Sequence, residues 1–531
     1  MAIRRRSVTV TATVRALVVV LALAAACSSS DGEGEAAGTT TTTAPAASFE
    51  VRAPDDVAQP PAEGNGMVVP QPAVALPEGY VQEEYLIGGT ATRFDAVETP
   101  ADGHWVAEPG DEADYRTRVI VRRPESPEDF SGTVVVEWFN VSAIEASPDW
   151  AYLAQEIGQE GHAYVGVSTQ RQGVEGGDTI LDVEVDEAAA AETGVTADTS
   201  GLKNIDPERY GTLVHPGDAY AFDIFNQVGA TATEPGGGLL GGLEPTQVIA
   251  VGESQSAIFL STFVNAVHPL DPVYDGFLIH SRGANVAPLD GEFRRAADRE
   301  DPDAALQDAV LIRTDRDEPV MLVETETDLT LLGYANARQP DTDQVRTWEV
   351  AGTAHADAHL IRGIVGGPRD PDVGSLLGCS GPVNTGPHHE VVSAALHQLV
   401  AWAVGDPAPP PGEPIELTDD DETTIARDED GNALGGVRNP LVDVPVAALT
   451  GDSPGGATVE DLAGGEGDVC VLFGSTEPFD QATLVERYGT FDDYLDAFRA
   501  SAETAVEAGY LLPHDADELI TEAQANRALF G

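Results

Sequence analysis

The sequence predicts an α/β fold, a doubly wound and mainly parallel sheet with helices on both faces. Three observations predict it. "GTVVVEWFN" (132–140) and "PVMLVET" (319–325) are apolar runs of strand length, the pattern of strands buried on both faces. Helical patterns stand between such runs, as Trp150–Gly161 does between "GTVVVEWFN" and "AYVGVST" (163–169). Parallel neighbours need a crossover connection, and strands alternating with helices supply one each time.

The elements follow in order. "YVQEEYLIGG" (80–89) and "YRTRVIVRRP" (115–124) alternate and read as strands ahead of the parallel block. After "AYVGVST" comes a loop-rich stretch, Gln170–Pro216, and then Ala221, Ile224, Phe225 and Val228 at helical spacing. Gln247–Val251 is the next strand, with a helix after Ser254 and the strand "YDGFLIH" (274–280). A polar stretch, Arg282–Glu318, leads to "PVMLVET" and "VRTWEVAG" (345–352), and "EVVSAALHQLVAWAVG" (390–405) closes the block as an amphipathic helix. Beyond Pro407 the chain is rich in Gly, Pro and Asp and ends in two predicted helices after Phe479. So few apolar strands cannot bury a core alone. We therefore expect a main block over 75–410 and an extension over 411–531 packed on it.

The start of the chain has a different character. Arg4, Arg5 and Arg6 precede an apolar stretch, Ala16–Ala26, that is shorter than the roughly 20 residues a membrane span needs. This is the pattern of a secretory signal over 1–26. "LAAAC" is similar to a bacterial lipoprotein box, which makes Cys27 the expected lipidated residue. "SSSDGEGEAAGTTTTTAPAAS" then reads as a flexible tether within 27–74. The expected location is the outer face of the cell membrane through that lipid, or release as a secreted protein. Of the two other cysteines, Cys379 and Cys470, a disulfide is expected in an exported chain.

Composition limits the partners. Lysine and arginine total 28 against 90 acids, a net charge of −62, and Lys203 is the only lysine. Nucleic-acid binding rests on basic groups that release counterions, so no nucleic-acid partner is expected.

The chemistry gathers at "VIAVGESQSAIFLSTFV" (248–264), an apolar strand and an apolar helix separated by Gly252-Glu253-Ser254-Gln255-Ser256. That is the context of a nucleophile elbow, with small residues two before and two after Ser254 so that the turn can close. Ser256 stands where glycine is usual. A serine nucleophile needs a base, and the base needs an orienting acid. "PVMLVETETDL" ends in carboxylates at a strand's carboxyl end, and "WEVAGTAHAD" does the same for His355, in the order Ser, acid, His. Asp328 is the expected acid and Glu326 the alternative, with Glu324 and Glu326 turned to solvent or to loop capping. The oxyanion would be held by the N–H of Gln255 and by that of Phe139 or Asn140 in "EWFNVSAI". His359 lies four residues after His355, but no HExxH and no third ligand accompany it, so no metal is expected. His388 and His389 read as an exposed first helical turn.

"GTVVVEWFNVS", "YVGVSTQRQGV", "VGESQSAIFL", "VETETDL" and "AGTAHAD" together resemble the signature blocks of a bacterial α/β-hydrolase domain family. The tail resembles it too, in "DEDGNALGGVRNPLVDVPVA" and "LFGSTEPFD", and the resemblance spans about 75–531. It implies an α/β-hydrolase fold and a serine hydrolase, with the tail part of the same unit. The expectation is therefore an enzyme acting on a small-molecule ester or related acyl substrate without cofactor or metal. The lid and substrate pocket would come from Gln170–Pro216 and Arg282–Glu318. Two other readings keep the fold: an acyltransferase, and a non-catalytic surface-binding lipoprotein.

Overall fold

The computed structural model describes residues 49–177, 201–234, 238–292, 309–379, 381–418, 421–452 and 469–531. Cys27 and the signal stretch lie outside these residues, as do 178–200 and 293–308 of the two stretches expected to form the pocket.

Nine strands form one sheet. They are β1 (Asp56–Ala58), β2 (Tyr80–Glu98), β3 (Val106–Pro124), β4 (Thr133–Trp138), β5 (Ala163–Val167), β6 (Gln247–Glu253), β7 (Gly276–His280), β8 (Val320–Thr325) and β9 (Val345–Val350). Their spatial order is β1-β2-β3-β5-β4-β6-β7-β8-β9. The first three pair antiparallel, and β3 meets β5 antiparallel. From β5 to β9 every pairing is parallel.

The helices that matter here are α1 (Pro148–Glu160), α2 (Ala221–Thr233), α3 (Gln255–Thr262), α4 (Glu326–Thr330), α5 (Ala358–Val365) and α6 (His388–Ala403). Side chains alternate along a strand, so a strand covered on both faces feeds two cores. Val134 and Val136 of β4, with Val248 and Ala250 of β6, pack with Phe222 and Phe225 of α2 and Phe259 of α3. Val135, Ile249 and Val251 point the other way and meet Leu153 and Ile157 of α1 and Leu396 and Leu399 of α6. This is why those strands read as unbroken apolar runs. α1 stops at Gly161, whose φ of 72° is left-handed; a Cβ there would lie 2.2 Å from the Asp129 carbonyl oxygen.

Two expectations about boundaries need correction. The tether of 27–74 reaches too far, because β1 lies within it and pairs with β2. Gln71 is also buried, and its Oε1 accepts from Ser147 N at 2.7 Å. These contacts are polar or short, so no apolar periodicity announces them. The end of the chain holds three helices after Phe479, not two: α7 (Gln481–Tyr488), α8 (Phe491–Ala508) and α9 (Pro513–Ala525). The run breaks at Gly489, and Thr490 restarts it by capping the N–H of Asp493.

The extension packs on the main block as expected. Val437 adds a parallel bridge beside Val350, and Tyr510 sits edge-on to Trp348 at 5.1 Å. Cys379 and Cys470, 91 residues apart, are joined in a disulfide. Among the described residues no helix is long and apolar enough to cross a membrane.

Candidate active site

The strand β6 ends at Glu253, and the chain turns into α3 at Ser254. Ser254 has φ 58° and ψ −120°, one of three described non-glycine residues with positive φ. Such a conformation costs on the order of 1–3 kcal/mol and persists only where the surroundings impose it. Here Ser254 N donates to His280 O at 2.9 Å, and Ile258 N donates to Ser254 O at 3.1 Å. A Cβ on Gly252 would meet the Ser256 backbone at 3.2 Å, so the position two before the serine has to be small. Ser256 itself is buried inside the helix start.

The acid is placed by a helix cap. β8 runs to Thr325, and Asp328 is the third residue of α4. Thr325 N and Oγ1 each donate to Asp328 Oδ2 at 2.7 Å, while Asp328 N donates to Thr325 Oγ1. This capping box fixes one carboxylate oxygen and leaves the other free. That oxygen, Oδ1, lies 2.6 Å from His355 Nδ1. His355 follows β9, and its Nε2 lies 2.8 Å from Ser254 Oγ. Serine, histidine and aspartate, up to 101 residues apart, thus form one hydrogen-bonded chain.

Glu326 and Glu324 do not turn to solvent; both are fully buried. Glu326 accepts from Gly352 N at 2.6 Å and Gly451 N at 3.0 Å, and pairs with Arg427 at 3.0 Å. Both its oxygens are committed, to the β9 turn and to the extension. Burial, followed by the nearby Asp328 charge, pushes the Glu324 carboxyl well above the usual range. A very acidic sequence suggests an exposed rim here, but the extension covers this edge.

The electrostatics favour an ionised acid and a basic imidazole. Burial works against the Asp328 charge, yet His355 and Thr325 outweigh it and hold the carboxyl below its ordinary value. For His355 burial again opposes the charge, and Asp328 and then Glu253 raise its affinity for a proton. Glu253 is a residue that the sequence reading passed over. Its Oε1 lies 3.6 Å from His355 Nε2, and burial pushes its carboxyl up to about 8. Its place beside the serine was the only sequence signal.

His388 and His389 are also buried, not exposed. His388 Nε2 lies 2.6 Å from His280 Nε2, so one proton is shared between the two rings. His280 Nδ1 in turn meets Asp149 Oδ1 at 2.9 Å. Burial drives His280 down to about 3 and His388 well below its ordinary value, which makes both rings neutral packing behind the triad. His359 does not join His355; its Nε2–H donates to Ala151 O at 2.9 Å.

The expected oxyanion donors are only partly available. Gln255 N–H opens α3, where first-turn donors have no acceptor within the helix. Phe139 N–H, however, donates to Val167 O at 3.1 Å, and Asn140 N–H donates to Ala146 O at 3.0 Å. Neither is free, because the chain past β4 continues to bridge its neighbours. The next donor, Val141 N–H, has a long contact of 3.4 Å with Gln255 Oε1.

A parallel sheet buried on both faces, with a serine at a strained strand–helix turn and a histidine and acid after later strands, defines the α/β-hydrolase class. The chain belongs to the alpha/beta hydrolase domain family, whose description matches residues 53–521. No curated protein matches it. Among solved structures it is similar to a putative dienelactone hydrolase from Klebsiella pneumoniae subsp. pneumoniae, at 13% identity over 50% of this chain and 85% of that one, TM-score 0.23. It is also similar to a fungal esterase structure from Rhizomucor miehei, at 12% identity over 62% and 86%, TM-score 0.29. An S-formylglutathione hydrolase from Agrobacterium tumefaciens is similar at 12% identity over 50% and 79%, TM-score 0.24. At these scores the likenesses carry no argument about this chain.

Proposed function

We propose that this protein is a serine hydrolase that cleaves a carboxylic ester or related acyl bond. The observation that carries the reading is the Ser254–His355–Asp328 chain, at 2.8 and 2.6 Å, with its serine on a strained elbow. Ser254 Oγ attacks the carbonyl carbon while His355 Nε2 takes its proton. Asp328 holds His355 in the tautomer with its proton on Nδ1 and stabilises the imidazolium. The oxyanion is held by Gln255 N–H and, in place of Phe139 or Asn140, by Val141 N–H once substrate displaces the Gln255 side chain. The intermediate collapses, and His355 returns the proton to the leaving alcohol. Water then attacks the acyl-enzyme by the same route and frees the acid.

Ser254→Ala tests this. Wild-type protein is expected to label with a fluorophosphonate probe and to hydrolyse short p-nitrophenyl esters, and the variant to do neither above background. A folded wild-type protein that never labels would overturn the reading. We further propose export, which the buried Cys379–Cys470 disulfide favours because such bonds persist in oxidising compartments, and, from the sequence alone, Cys27 as a lipid anchor. Loss of membrane association in Cys27→Ala is the expected result.

A further inference from the structure

We propose that the protein carries a site for a first-row divalent metal ion, Zn²⁺ foremost, formed by Glu156 and Glu160 of α1 and His397 of α6. One ligand atom from each of the three lies within 4.8 Å of the others. His397 lies 241 residues from Glu156, so no sequence motif announces the three together. Glu156 and Glu160 are four apart on a helix and share a face, where like charges repel. They also stand in the last turns of α1, at the negative end of its dipole, and that last turn holds no basic residue. Three sources of negative potential therefore converge beside His397.

A second, independent observation points to a cation as ligand. Glu156 is fully buried, and while its Oε1 meets His397 Nδ1 at 2.8 Å, its Oε2 has no hydrogen-bond partner. A buried carboxylate oxygen left without a donor is costly, and a metal ion would remove that cost. Beside it, Asp515 of α9 accepts from Gln155 at 3.4 Å and has an equally unpartnered buried Oδ2. The His397 side chain is 44% exposed, which gives an ion a route in from solvent.

The donor set selects the metal. One imidazole with two carboxylates suits Zn²⁺ better than Ca²⁺ or Mg²⁺, which prefer oxygen alone. Three protein ligands leave room for a water as the fourth. The site is not catalytic: Glu160 ends α1 twelve residues past its start, roughly 18 Å along the helix from the end that packs near His280. Its role would be to clamp α1 to α6, the two helices covering one face of the sheet.

The test is titration calorimetry of the protein with ZnCl₂ in millimolar CaCl₂, which occupies weak sites on the acidic surface. Thermal unfolding is followed in parallel. One Zn²⁺ is expected to bind per chain and to raise the melting temperature. Glu160→Gln and His397→Gln, both reaching solvent and expected to fold, should each weaken binding by about tenfold or more and remove the thermal shift. Absence of binding by the wild type, or affinity unchanged in either variant, would overturn the proposal and leave a simple Glu156–His397 ion pair.

Discussion

At the scale of single residues, the two neighbouring acids have separable duties. Asp328 orients His355 through Oδ1 and is itself fixed through Oδ2. Asp328→Asn is therefore expected to fold normally and to lose about 10⁴-fold in turnover, as loss of the correct histidine tautomer does in serine proteases. Glu326→Gln should do the reverse. It weakens a buried contact with Arg427 and two backbone donors, so it should cost about 2–3 kcal/mol in denaturant unfolding. Turnover per folded molecule should stay within a few-fold of wild type. The pH profile offers a further check. His355 is held above its ordinary value, and in the proposed mechanism only its neutral form accepts the serine proton. The rate should thus rise with pH through a midpoint above about 6.5, with Asp328 ionised throughout.

At the scale of elements, the turn that carries His355 leans on a segment from the extension. Ala356 N donates to Leu472 O at 2.9 Å, and Leu472 lies two residues past the half-cystine Cys470. The disulfide also shares a small apolar cluster with Ala356, Ala358, Ile361 and Phe473. Closing a loop of this length stabilises a fold by up to about 4–5 kcal/mol in the chain-entropy view. Cys379→Ser with Cys470→Ser is therefore expected to lower the melting temperature. It should also reduce turnover, because the histidine turn loses its backing. Unaltered melting with both thiols replaced would show that the apolar cluster alone holds the turn. The elbow shows the same dependence of an element on its surroundings, since its strained Ser254 is held by a hydrogen bond to the end of β7.

At the scale of the whole molecule, the extension completes the main block. It supplies Arg427 and Gly451 to Glu326, Tyr510 to Trp348 and Val437 to the exposed edge beyond Val350. A chain ended at residue 410 would leave Glu326 buried without its cation and part of an apolar face in water. It should express as insoluble or molten protein, read by loss of near-ultraviolet dichroism; a soluble, cooperatively folding fragment would refute this. The parallel strands, the helices between them and the serine turn were legible in the sequence because burial on two faces leaves unbroken apolar runs. The order of Ser254, Asp328 and His355 along the chain was legible because each follows such a run. The three-helix end of the extension, the packing of residues 56–74 and the burial of Glu324, Glu326 and His388 were not. Those depend on which surface comes to cover which, and a periodic pattern records only that a side chain is apolar. By itself the sequence determined the class of fold and the residues that meet at its carboxyl edge. Only the tertiary structure decided which backbone N–H groups remain free for an oxyanion and which carboxylates lose their water, because both depend on hydrogen-bond partners distant in the chain.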